Sequence, residues 1–64
     1  MNEMRLAFYL EMASMRKAAL AKIVGTSPQN INDWIKRRDV WVYCDDQYEI
    51  EKIEDRQAKL LWSK

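Results

Sequence analysis

Apolar and polar positions along the chain fall into two regimes, a helical period as far as residue 37 and an extended one from Val40 onward. Lys17 to Lys36 reads KAALAKIVGTSPQNINDWIK. Leu20 and Val24, four apart, line one inward face of a helix over 18–24, and Ile31, Trp34 and Ile35 repeat the three-and-four spacing in a second helix. The join between the two is specified locally. Gly25 follows the last apolar residue, where the reversal asks for a positive φ that glycine adopts without steric cost. Ser27 is an N-cap and Pro28 a first helical residue, so the second helix starts at Pro28. Ala21 presents only a methyl at the crossing, where helices meeting at roughly 90–120° approach closely. This is the pattern of a helix-turn-helix, and also of an αα-corner with no role in binding nucleic acid.

A first helix is expected over residues 7–15, with Phe8, Leu10, Met12 and Met15 inward and Ser14 near its close. Met4, Met12 and Met15, beside Leu6, Phe8 and Leu10, read as core filler. From Val40 the period changes: VWVYC, residues 40–44, is β-branched, aromatic or small and favours a strand. Asp45 and Asp46 read as a turn, and QYEIEKI, residues 47–53, as a second strand with Tyr48, Ile50 and Lys52 on one face. A competing pattern has Asp46 capping a long helix in which Ile50, Ile53, Gln57, Leu60 and Leu61 recur at three and four. A lone strand leaves its backbone polar groups unpaired, which favours the hairpin. The expected fold is α+β: a three-helix helix-turn-helix domain followed by a C-terminal β-hairpin, within a single domain spanning residues 1–64. The alternative is all-α, with a C-terminal helix from about residue 46.

Sixty-four residues lie at the lower edge of what one apolar core stabilises without disulfides or metal, so self-association is an expected supplement. With one cysteine, Cys44, and no histidine, the chain has no internal disulfide and no zinc ligand set. Cys44 reads as a small, buried apolar residue. Neither a membrane span nor a signal peptide is visible, and the expected location is the cytoplasm. Catalysis has no candidate machinery: there is no glycine-rich phosphate loop and no serine or cysteine beside a base. Asp45 and Asp46 are adjacent, so on a strand they face opposite sides. No enzyme activity, metal, cofactor or small-molecule ligand is expected.

The net charge of +1 hides a marked separation. Residues 16–38 carry Arg16, Lys17, Lys22, Lys36, Arg37 and Arg38 against Asp33 alone, a net of +5, whereas residues 39–64 hold seven acidic and four basic residues. A basic helix-turn-helix is the electrostatic footprint of a phosphate-binding surface. The outer side of the second helix carries Gln29, Asn30, Asn32, Asp33 and Lys36, an amide-rich surface suited to base edges in a major groove. Gln29 is the first candidate base reader and Asn32 the second, while Ser27 touches a base or a phosphate. Lys17, Lys22, Lys36, Arg37 and Arg38 are candidate phosphate contacts. The acidic segment is better placed at a dimer surface, where Trp41, Tyr43, Ile53 and the Leu60-Leu61-Trp62 tail would be covered; Trp41 and Tyr43 are equally candidates for the core.

In order as well as in motif, the chain resembles the Cro repressors of temperate phages, in particular the lambda-type Cro with its mixed helix and sheet architecture. The likeness runs from Leu6 and its helix through AKIVG (21–25), INDWI (31–35), VWV (40–42) and YEIEKI (48–53), roughly residues 5–53. It implies a repressor that binds two-fold symmetric operator DNA as a homodimer. Base readout by the start of the second helix carries over to Ser27, Pro28, Gln29, Asn32 and Asp33. Pro28 departs from the pattern in lacking any side-chain donor, and Asp33 in setting a carboxylate against a negatively charged ligand, unless it accepts from a cytosine amine or orients Lys36 or Arg37. Lambda-type Cro proteins pair their last strands across the dimer and tuck an aromatic residue into the partner. The candidates here are Ile53 for the strand and Leu60, Leu61 or Trp62 for the anchor. Two other classes stay open: a protein-interaction adaptor or antirepressor, and an excisionase-like architectural protein that bends DNA.

Overall fold

A computed structural model describes residues 1–64. Three helices, α1 (Leu6–Met12), α2 (Lys17–Val24) and α3 (Pro28–Arg37), pack on one face of an antiparallel sheet. Its strands β1 (Asn2–Arg5), β2 (Val40–Cys44), β3 (Ile50–Asp55) and β4 (Lys59–Ser63) lie in the order of the chain. The α+β class expected from the sequence is the one found, and the all-α alternative is not. The expected hairpin is the centre of a larger sheet, because both chain ends add a strand to it.

β1 lies antiparallel to β2, from Asn2 opposite Cys44 to Arg5 opposite Trp41, and runs directly into α1 through the extended backbone of Arg5. Leu6, Tyr9 and Leu10 face inward at the three-and-four spacing, while Phe8 is 54% and Met12 45% exposed. The expected helix over 7–15 with Phe8 and Met12 inward is therefore corrected: the helix starts one residue earlier, ends at Met12, and is turned so that Tyr9 enters the core. Its phenol donates to the Tyr48 carbonyl at 2.6 Å, so the buried hydroxyl is satisfied.

α2 and α3 follow the sequence closely. Leu20 and Ala21 are buried and Val24 partly so. Gly25 adopts φ 75°, and the Thr26 amide donates to Ala21 O at 2.9 Å, closing the helix. Ser27 caps α3, its Oγ accepting from the Asn30 amide at 3.1 Å, with Pro28 first in the helix. Ile31 and Trp34 are buried and Ile35 packs at the core's edge.

Within the sheet, Val40, Val42 and Cys44 point to the helices and Trp41 and Tyr43 to the opposite face. Asp45 shapes the turn, its Oδ1 accepting from the amides of Gln47 and Glu49, both at 2.9 Å, with Tyr48 at φ 63°. The second strand consequently begins at Ile50, not Gln47. Pairing shifts between Tyr43–Lys52 and Cys44–Ile50, so Glu51 is an extra residue and Ile50 shares the inner face with Ile53. Tyr48, Ile50 and Lys52 do not share one face, because the turn and this bulge break the alternation. At the other end Asp55 Oδ1 accepts from the Gln57 amide at 2.9 Å, and the chain reverses into β4. One core of twelve residues joins the helices to β2 and β3, with Cys44 inside it as expected.

Candidate nucleic-acid interface

The α2–Gly25–α3 unit presents a largely polar outer surface on α3, while α2 also exposes Ile23. Ser27, Pro28 and Gln29 are exposed, and Asn32 and Asp33 half-buried, along the outer side of α3. Ile31 and Trp34, on the inner side, anchor this helix in the core, so the outer residues are carried on a rigid element. Ser27 uses one acceptor lone pair for the cap and keeps its hydroxyl proton. Asn30 is tied back, donating through Nδ2 to Thr26 Oγ1 at 2.8 Å. Gln29 has no side-chain partner in the chain and retains both its donor and its acceptor.

Asp33, the anomalous acid on this face, is paired with two arginines. Its carboxylate lies 3.5 Å from Arg37 Nε and 3.6 Å from Arg38 Nε. The acid orients Arg37, one of the two possibilities read from the sequence, and Arg38 in place of Lys36. Arg38 also reaches the buried Asp55 at 3.8 Å, tying the end of α3 to the sheet. Of the five candidate phosphate contacts, Lys22 and Lys36 are exposed without an ion pair, as is Arg16 nearby. Lys17 donates to Asn32 Oδ1 at 2.8 Å, bridging the start of α2 to the middle of α3.

The residues expected at a dimer surface are placed unevenly. Ile53 is 0% exposed within the single chain, and its strand has β2 on one side and β4 on the other. The expectation that Ile53 lies at a dimer surface is corrected accordingly, since both edges of its strand are occupied internally. Trp41 is neither in the core nor bare: Arg56 lies 3.7 Å and Arg5 4.9 Å over its ring, and its Nε1 donates to Asp39 at 2.8 Å. Tyr43 beside it donates to Glu54 at 2.6 Å and accepts from Arg56, which also pairs with Glu3 at 2.6 Å. Most of the charge on the sheet's outer face is thus satisfied there. Leu60 is exposed, and Leu61 and Trp62 pack partly against the core.

Sequence reasoning missed two partners that set the character of this surface, Lys17 for Asn32 and Arg38 for Asp33. Asp33 and Arg37 stand four apart on a helix, a spacing that signals the pair, whereas Lys17 and Asn32 meet only through the crossing of α2 and α3. No three His, Cys, Asp or Glu side chains are grouped as a metal ion would need, and no helix is long and apolar enough to cross a membrane. Comparison with protein-family models, with curated proteins and with solved structures gave no match to the chain.

Proposed function

We propose that this protein is a sequence-specific, double-stranded-DNA-binding transcriptional repressor of Cro type, acting in a bacterial cytoplasm as a homodimer on a two-fold symmetric operator. One observation carries the reading: a rigidly anchored helix, preceded by a tight turn at Gly25, holds Gln29 and Asn32 outward within a segment of net charge +5. The α3 helix enters the major groove. Gln29 pairs with adenine through N6 and N7, and Ser27 donates to a base or phosphate at the helix start. Lys22, Lys36, Arg37 and Arg38, with Arg16 beside them, neutralise phosphates, giving affinity that falls with salt by a log–log slope near −0.9 per contact. The dimer contact falls to the free edge of β4 and to Leu60, Leu61 and Trp62, because Trp41 is covered and Ile53 buried.

A protein-interaction adaptor or antirepressor has one observation in its favour, the open apolar groove between Tyr9, Met15, Ile23, Ile50 and Trp62. Selection from a random duplex pool at near-physiological salt separates the classes. A two-fold symmetric motif with half-sites about 10 bp apart is the expected result. Retention without a motif identifies an architectural DNA-binding protein, and no retention even at low salt favours the adaptor.

A further inference from the structure

The bridge between Lys17 and Asn32 has only one chemically sensible polarity. An ammonium group has donors and no acceptor, so the amide oxygen faces it, and Nζ stands 2.8 Å from Oδ1. One of the two lone pairs on the amide oxygen is then engaged, while both Nδ2 protons have no partner in the chain. Lys17 retains two further protons of its own. Asp33, the neighbouring acceptor on α3, is paired with Arg37 and Arg38. The middle of the α3 surface is therefore a cluster of donors.

We propose that Lys17 and Asn32 act as one guanine-reading unit, Lys17 positioning the amide and supplying a second donor; this rests on the reading of the chain as a duplex-DNA reader. In the major groove guanine offers two acceptors, O6 and N7, whereas adenine pairs the N7 acceptor with the N6 donor. A free asparagine suits adenine, because its oxygen accepts from N6 as its nitrogen donates to N7. With one Oδ1 lone pair held by Lys17 and the ammonium standing beside it, the N6 donor faces a second donor, whereas two adjacent donors match the two acceptors of guanine. Thymine offers a single acceptor, O4, beside a methyl group. Gln29, whose amide is unpartnered, keeps the adenine preference that Asn32 loses. The two amides of α3 thus read different bases, and the residue that sets the difference sits on α2.

The test is selection from a random duplex pool by the wild type and by Lys17→Met and Lys17→Arg, with thermal melts as a control for folding. The wild type is expected to select guanine at the Asn32 position. Lys17→Met, which keeps the stem and removes the donors, shifts that position alone toward adenine, lowering the guanine-over-adenine ratio by about 5- to 150-fold. Lys17→Arg retains guanine. A Lys17→Met variant that binds all sequences more weakly with its motif unchanged overturns the proposal and leaves Lys17 a phosphate contact. Failure of the wild type to select any motif overturns the base-reading function together with it, so the two failures are distinguishable.

Discussion

Replacing Asp33 with asparagine removes the only acid from a surface proposed to meet phosphates, and the structure sets the size of the effect. The carboxylate pairs with Arg37 at 3.5 Å and Arg38 at 3.6 Å, with the arginine side chains 81% and 51% exposed and its own 36%. Exposed pairs of this kind contribute about 0.2–1 kcal/mol each. Both must be given up before the two guanidiniums turn to DNA, a cost of about 0.4–2 kcal/mol, or roughly 2- to 30-fold in affinity. Asp33→Asn should therefore tighten binding to a duplex of mixed sequence by that factor, while lowering folding stability by no more than the same about 0.4–2 kcal/mol. Fluorescence anisotropy with a labelled duplex lacking the selected motif isolates this electrostatic part from any contact between Asp33 and a cytosine. Unchanged or weaker binding by a folded Asp33→Asn protein would refute the reasoning, because the carboxylate would then not compete with phosphates for the arginines.

Other perturbations probe the reading face, the core, the turn and the charge network. Gln29→Ala should lose about 1–3 kcal/mol on the selected operator and little on unrelated duplex, the mark of base readout in paired anisotropy titrations. Trp34 is 8% exposed, so Trp34→Ala should lose about 3–5 kcal/mol of stability, and a urea midpoint matching the wild type would disprove its inward placement. A Cβ at Gly25 meets nothing within 4 Å, so Gly25→Ala carries only the cost of its φ of 75°, about 1–2 kcal/mol in a thermal melt, and Gly25→Asn less. Donation from Trp41 Nε1, aided by Arg5, holds the Asp39 carboxyl below its ordinary 3.8, and the Tyr43 hydroxyl does the same for Glu54 relative to 4.5. Their stabilisation is complete above about pH 4.5 and lost as pH falls through the lowered values, so Asp39→Asn should flatten the acid limb of stability against pH. Burial raises the Tyr9 phenol above 10.0, so its stabilisation is complete below that pH and lost as pH rises through the raised value.

What the sequence made legible is what short-range chemistry decides. Gly25, Ser27 and Pro28 act on their own neighbours, and the three-and-four spacing of Ile31, Trp34 and Ile35 needs nothing beyond α3 itself. The strands at the chain ends were hidden for the opposite reason. Asn2–Arg5 has little strand character and becomes a strand by pairing with residues some forty positions away. Lys59–Ser63 shares its apolar residues with a plausible helical period, and the reversal at Asp55 and Gln57 decides against that period. The phase of α1 was ambiguous because LAFYLEM offers two apolar sets, Phe8 with Met12 and Leu6 with Tyr9 and Leu10, and the second is the buried one. At the candidate interface the residues facing outward were legible, but their hydrogen-bonding state was not, because Lys17 reaches Asn32 only across the helix crossing.

The most direct test of the central claim is a map of backbone and side-chain amide NMR shifts during titration with a short duplex at low salt. The expected result is perturbation concentrated in the Gln29 and Asn32 side-chain amides and the backbone of residues 16–18 and 26–38, with Trp41 Nε1–H on the outer sheet face unmoved. Perturbation centred on the sheet's outer face or the groove beside Trp62, or none at all, would contradict it.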